Sequence, residues 1–222
     1  MSRVLRLRPG DQVSVFDGTG REVVASLAVA TPRKATARIL RETPSLPSTN
    51  FRVTLVQVAP RGPAMDLIVA KATELGVARL IPLEGERSVR RTAAVRTSRW
   101  ARIIQEAAEQ CGRRDLPDLA PASTLDAFLL GHPPETPLLA CDANREGESL
   151  LAACRELRGA ASVTLLIGGE GGLSPAEVDR LRSRGARLVW LGPRILRAET
   201  AALAALSVIQ ALLGDWENIR DR

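Results

Sequence analysis

The chain is 222 residues long, 45% hydrophobic and 25% charged, with a formal net charge of +6 at pH 7. That apolar share sustains a packed core and excludes global disorder, and the length suits one large domain or two small ones. The positive balance points to a polyanionic partner such as nucleic acid, although the skew of its cations to arginine, with Lys34 and Lys71 the only lysines, also fits a bias in genome composition.

The amino terminus, "MSRVLRLRPGDQ", lacks the apolar run of a signal peptide. From Val4 to Ala30, Val, Leu and Phe alternate with polar residues and "DGTG" supplies a turn, which predicts antiparallel strands. "KATARIL" adds another strand, and Arg3, Arg6 and Arg8 stud one face of this small barrel or sheet. The stretch "RETPSLPSTN", from Arg41 to Asn50, has the proline and Ser/Thr/Asn content of a linker.

Beyond it the pattern changes to strand–helix alternation. "FRVTLVQVA" predicts a strand, and "GPAMDLIVAKATELG" predicts a helix ended by Gly76. "VARLIPLE" is the next strand. "TSRWARIIQEAAEQCG" is the clearest amphipathic helix, with Trp100, Ile103, Ile104, Ala107, Ala108 and Cys111 on one stripe, so Cys111 is expected in the core. "TPLLACD" (strand) and "ESLLAACREL" (helix) follow, then "ASVTLLIG", a near-continuous apolar strand as in a sheet covered on both faces. Ser174, Pro175 and Glu177 form a helix start with a capping box. "RLVWLG" makes one more strand, and "AETAALAALSVIQALLG" a helix apolar nearly all round, suited to a core or a subunit interface. The second domain is therefore α/β with a mostly parallel sheet.

Absences narrow the chemistry. Six aromatic residues and no tyrosine argue against a binder that stacks successive bases on aromatic rings. Cys111, Cys141 and Cys154 are widely spaced and His132 is the sole histidine, which argues against a metal site or a disulfide framework and fits a reducing cytoplasm. No run of apolar residues is long enough to span a bilayer.

Two polar loops follow buried strands. The first, "IGGEGGLS" from Ile167 to Ser174, contains Gly168, Gly169, Glu170, Gly171 and Gly172 and leads into the capped helix. Its place suits a ligand at the carboxyl end of a parallel sheet. It has no lysine for a P-loop, its spacing fails the G-x-G-x-x-G fingerprint, and Glu170 would repel a phosphate. The second loop, "LGPRILRAETA" from Leu191 to Ala201, sets Arg194, Arg197, Glu199 and Thr200 directly before the most apolar helix of the chain.

Together, "LLIGGEGGLSPAEV" and "LGPRILRAETA" resemble the paired motifs of the ribosomal small-subunit RNA uridine N3-methyltransferases, a family of the SPOUT class. "VLRLRPGDQV…FDGTG", "KATELGVARLIPLEGERSV" and "AAEQCGRRDLP" extend the resemblance over nearly the whole chain. The resemblance implies a PUA-like β-barrel over residues 1–46, then a SPOUT α/β domain with a deep trefoil knot over residues 47–222. It also implies a first strand before "VLRLR", so the barrel is expected to be amino-terminally incomplete. Two positions depart from the family's pattern: Gly169 stands where proline is usual, and Ala198 where threonine is common.

What the resemblance implies about chemistry is specific. S-adenosylmethionine would be held by Leu139, Ala140 and Cys141 at one strand end, and by Ile167 with Gly168, Gly169, Glu170, Gly171 and Gly172. The second loop would contribute Leu191, Gly192, Pro193, Ile195 and Leu196, with Thr200 and Ala201 behind them. Glu199 would act as base or orient the cofactor, and Arg197 would stabilise the developing uracil oxyanion. RNA contacts would come from Arg6, Arg8, Arg87, Arg90, Arg91, Arg113, Arg114 and Arg194. The partners implied are 16S rRNA in the small ribosomal subunit and a second copy of the chain. The alternatives are another SPOUT enzyme, acting on ribose 2′-oxygens, and a non-catalytic RNA-binding or assembly protein.

Overall fold

The computed structural model describes residues 7–31, 34–44, 51–84, 93–144 and 146–216. The chain divides into two compact units, Met1–Ser48 with Ala108–Leu116, and Thr49–Ala107 with Pro117–Arg222.

In the first unit, β1 (Gln12–Phe16), β2 (Glu22–Ala30) and β3 (Ala35–Glu42) form an antiparallel sheet in the order β1-β2-β3. The "DGTG" turn joins β1 to β2, with Asp17 accepting from the backbone and hydroxyl of Thr19 at 2.8 and 2.6 Å. An unforeseen partner for that turn lies far along the chain. Leu116 N–H donates to the Gly18 carbonyl at 3.0 Å, and Gly20 N–H to the Arg114 carbonyl at 3.2 Å. The Arg114 guanidinium meets Glu22 at 2.6 Å and donates to the Pro44 carbonyl at 2.7 Å.

In the second unit, every strand pairing is parallel, in the order β6-β5-β4-β9-β7-β10-β8. The strands are β4 (Arg52–Val58), β5 (Arg79–Leu83), β6 (Asp118–Leu119), β7 (Leu138–Cys141), β8 (Glu148–Ser149), β9 (Ser162–Ile167) and β10 (Arg187–Trp190). The helices are α1 (Ala64–Glu74), α2 (Ala93–Cys111, whose last four residues belong to the first unit), α3 (Leu125–Gly131), α4 (Leu150–Glu156), α5 (Pro175–Ser183) and α6 (Ala198–Leu212). The mostly parallel α/β sheet and the small antiparallel amino-terminal unit are the two parts the sequence predicts.

Strand periodicity explains how one sheet serves two cores. Leu55, Leu139, Leu165 and Val189 pack with Ile68 of α1, Trp100 and Ile104 of α2, Cys154 of α4 and Leu206 and Ile209 of α6. Their strand neighbours Val56, Ala140, Leu166 and Leu188 point the other way, onto Phe128 of α3 and Val178 and Leu181 of α5. Both faces are covered by largely apolar layers, which is why β9 reads as a nearly continuous hydrophobic run broken by Thr164.

Local signals act where they are read. Gly76 takes φ +79° just past α1, as a left-handed stop requires. Gln210 of α6 then donates to the Leu75 carbonyl at 2.7 Å, fastening that helix end. Ser174 and Glu177 form the reciprocal capping box of α5, with Pro175 as its first residue. Cys111 departs from expectation: α2 buries Trp100, Ile104, Ala107 and Ala108, but its last turn leaves that core and Cys111 is exposed.

Candidate active site

Three loops leave the carboxyl ends of the adjacent strands β9, β7 and β10 and enclose a cavity of about 350 Å³. This is where an open parallel sheet offers a ligand site, and the volume suits a nucleoside-sized molecule.

The first wall is the glycine loop, Ile167 to Gly172. Gly172 N–H donates to the Gly169 carbonyl at 3.0 Å, closing a turn whose tip is Glu170 and Gly171. A Cβ on Gly168 would stand 2.9 Å from the Gly172 carbonyl carbon, so this turn closes only around glycine. Gly172 has φ +71°, again a glycine conformation. A Cβ at Gly169 would press on Val58 Cγ1 at 3.3 Å, a contact that glycine removes. The Glu170 carboxylate accepts the Arg61 backbone N–H at 3.1 Å.

The second wall runs from the end of β10, Val189 and Trp190, into the loop beyond it, Leu191, Gly192, Arg194, Ile195 and Leu196, closed by Ala198 and Ala201 in the first turn of α6. Ile195 is 84% exposed, an apolar side chain held out at the rim. Arg197 is the residue at which α6 begins, exposed and making no capping bond, and Glu199 is half-buried in the first helical turn. Neither Arg197 nor Glu199 lines the cavity; each flanks a residue, Ala198, that does.

The third wall is Cys141 at the end of β7 with Asp142, Ala143 and Asn144 after it. Asp142 is buried; its N–H donates to the Val189 carbonyl at 2.9 Å, and its carboxylate accepts Asn144 Nδ2 at 3.4 Å and Glu146 N–H at 3.3 Å. Burial, then the neighbouring Asp142 and Cys154, push the Cys141 thiol up to about 12. It stays protonated at neutral pH, which suits a wall and not a nucleophile.

Of the residues expected at a ligand site, Ile167, Gly168 to Gly172, Leu191, Gly192, Ile195, Leu196 and Ala201 line the cavity, and the β7 wall runs from Cys141 to Asn144 where Leu139 to Cys141 were expected. Leu139 and Ala140 do not reach the cavity, because mid-strand they are packed into opposite cores, and only Cys141 emerges. Pro193 and Thr200 are exposed and do not line it either. Asp142, Ala143, Asn144, Val189, Trp190 and Ala198 were missed. The signal for three of them was "DAN", a polar turn directly after an apolar strand.

The arginines expected to meet RNA separate in the same way. Arg194 lines the cavity and Arg8 is exposed. Arg114 pairs with Glu22 and donates to the Pro44 carbonyl, and Arg113 pairs with Asp115 at 2.9 Å, all within the first unit. Arg6, Arg87, Arg90 and Arg91 lie outside the described residues. Among the described residues, no cluster of His, Cys, Asp and Glu could hold a metal, and no helix is long and apolar enough to cross a membrane.

In chain order a small antiparallel unit comes first and the parallel sheet with its cavity second, and both parts match families of RNA methyltransferases. An RNA methyltransferase domain family matches residues 47–210, and an RNA methyltransferase PUA domain family residues 1–40. The ribosomal RNA small subunit methyltransferase E of Synechocystis is 36% identical over 219 residues, covering 96% of this chain and 70% of the relative. That of Bacillus subtilis is 31% identical, covering 93% and 84%. Among solved structures, the Neisseria gonorrhoeae ribosomal RNA small subunit methyltransferase E bound to S-adenosyl methionine is 35% identical with a TM-score of 0.89, covering 97% of this chain and 89% of that one. A putative methyltransferase from Legionella pneumophila, in complex with the same cofactor, is 32% identical with a TM-score of 0.84, covering 95% and 86%. The chain belongs to the ribosomal RNA small subunit methyltransferase E family.

Proposed function

We propose that this protein transfers a methyl group from S-adenosylmethionine to N3 of a uridine in 16S rRNA. The observation that carries the reading is the three-walled cavity, built from the same two loops that carry the family resemblance. The residues fit the cofactor. Open space beside Gly171, Gly172 and Gly192 lets it approach the backbone, Ile167, Val189 and Leu196 offer apolar surface, and Asp142 and Asn144 offer polar groups. When bound, S-adenosylmethionine supplies an electrophilic methyl on a sulfonium.

The chain's own residues do the rest. Uracil N3 carries a proton that must leave as the N3–methyl bond forms. Glu199, half-buried beside the cavity, takes that proton or orients the cofactor, and general-base help is worth roughly 10²–10⁴-fold. Arg197, exposed at the start of α6, faces the negative charge that develops on the uracil oxygens. Holding the two reactants together contributes about 7–11 kcal/mol at most. No cysteine nucleophile is required, in keeping with the protonated Cys141. Arg194 at the cavity and Arg8 on the amino-terminal unit would contact RNA phosphates, joined by Arg6, Arg87, Arg90 and Arg91. The working compartment is the cytoplasm, and the working form is a homodimer.

The direct test incubates protein and methyl-labelled cofactor with small subunits from a strain lacking this activity, then maps the product. Label on uracil N3 is expected. Label on a ribose would overturn base methylation, and no label with intact cofactor binding would leave a protein that binds RNA without modifying it.

A further inference from the structure

The glycine loop has little of its own to hold it in place. Gly168 to Gly172 carry one side chain among them, and beside Gly171 and Gly172 a Cβ would meet no atom within 4 Å. Its internal bond, Gly172 to Gly169, shapes the turn but anchors it to nothing. Among the described residues, its side-chain ties to other segments both run to β4 and the stretch after it. At the start of the loop, Gln57 Nε2 donates to the Gly168 carbonyl at 3.2 Å, besides Val58 at 2.8 Å and Ile167 at 3.5 Å. At its tip, Glu170 accepts from Arg61 N–H at 3.1 Å.

Gln57 is an odd residue for its place. It is fully buried in the middle of a parallel sheet whose neighbouring positions, Leu55 and Val56, are apolar. Its Oε1 has no hydrogen-bond partner among the described residues. A buried amide with an orphaned oxygen costs stability that an apolar side chain of similar size would not. The amide's use therefore lies in its nitrogen, which reaches across to the strand end and first glycine of the cavity wall. Glu170 makes a matching case: its carboxylate is engaged by the backbone of another loop, so its position in the wall does not by itself mean contact with ligand.

We infer that Gln57 and Glu170 are positioning residues that hold the cofactor wall in its binding shape before the cofactor arrives, Gln57 from β4 and Glu170 through the Arg61 backbone. The inference rests on the reading of the cavity as the S-adenosylmethionine site. A loop freed from either tie samples other shapes, and apparent affinity falls by the fraction of time spent in the right one. Occupancy at saturation restores the wall, so the loss appears in KM for the cofactor more than in kcat.

The test uses the full chain with Gln57→Leu, Glu170→Ala and Glu170→Gln. Hydrogen exchange at the Gly168–Leu173 amides is measured without cofactor, and cofactor Kd, KM and kcat are measured with it. Gln57→Leu and Glu170→Ala should speed exchange in the cofactor-free loop and weaken cofactor binding about tenfold. Glu170→Gln should recover most of the loss, because its amide oxygen still accepts the Arg61 N–H. Equal weakness of Glu170→Gln and Glu170→Ala, with exchange unchanged, would overturn the tie and make the Glu170 charge a direct ligand of the cofactor. Unchanged exchange in Gln57→Leu would overturn its part, and if that variant does not fold, the Glu170 pair decides alone. Wild-type protein that fails to bind S-adenosylmethionine would sink the proposed function instead, while the exchange comparison would still judge the ties.

Discussion

His132, the single histidine, has no place in the cavity yet gives the fold a pH signature. One ring nitrogen lies 3.1 Å from the buried Thr164 hydroxyl, and Phe128 packs edge-on against the ring. Burial lowers its pKa below the usual 6.5, only partly opposed by Glu135. The unfolded chain then binds the proton more readily, so the stability His132 contributes is complete above 6.5 and is lost as the pH falls below it. Melting temperature should therefore drop between about pH 7.5 and about pH 5.5, where carboxylates contribute little. His132→Gln should flatten that slope, and a slope unchanged by the substitution would assign it elsewhere. At the cavity, Glu199→Gln and Arg197→Ala should each lower kcat about 10²-fold or more with cofactor Kd nearly constant. Single-turnover kinetics beside calorimetry separates the two quantities, and unaltered turnover rejects the roles given to them. Residue type alone could not sort the arginines: Arg114 and Arg194 look alike in sequence, and only the fold shows one facing Glu22 and the other a cavity.

At the scale of elements, legibility follows how local the cause is. The capping box of α5 is written in four consecutive residues and forms as written. Ser174→Ala should cost about 1 kcal/mol, read from the denaturant midpoint; a shift no larger than that of Glu177→Ala alone would still count the box, and no shift in either would remove it. The seven residues of α3, Leu125–Gly131, are too few to show a helical period, although Thr124 caps them with a bond from Ala127 N–H at 3.2 Å. The stripe of α2 predicted Trp100 and Ile104 correctly and Cys111 wrongly, because periodicity cannot tell where a helix runs past the core it packs on. Gln57 carried no sequence signal, since its importance lies in carbonyls more than a hundred positions away.

For the whole molecule, the paired loops and the apolar strands made the α/β class legible, whereas the recruitment of Ala108–Leu116 to the amino-terminal unit was not, since it rests on pairing with a distant turn. α6 carries the strongest statement about assembly. Ala202, Ala205, Leu206 and Ile209 are buried in the chain's own core, while Leu203, Ala204 and Ala211 form a half-exposed apolar stripe on another side. A second copy of the chain covering that stripe is the homodimer proposed above. Leu203→Arg should shift the sedimentation of the protein from dimer to monomer, and a monomeric wild type would reject the assembly.

The order of the strands has a consequence in time. The cavity lies over β9, β7 and β10, neighbours in space that are made in the sequence β7, β9, β10, and its last wall is Val189 to Ala201. A nascent chain that has delivered β7 and the glycine loop holds two walls facing nothing. Completion of the cavity is thus a late event of synthesis, and a chain broken off before Leu191 lacks most of its last wall.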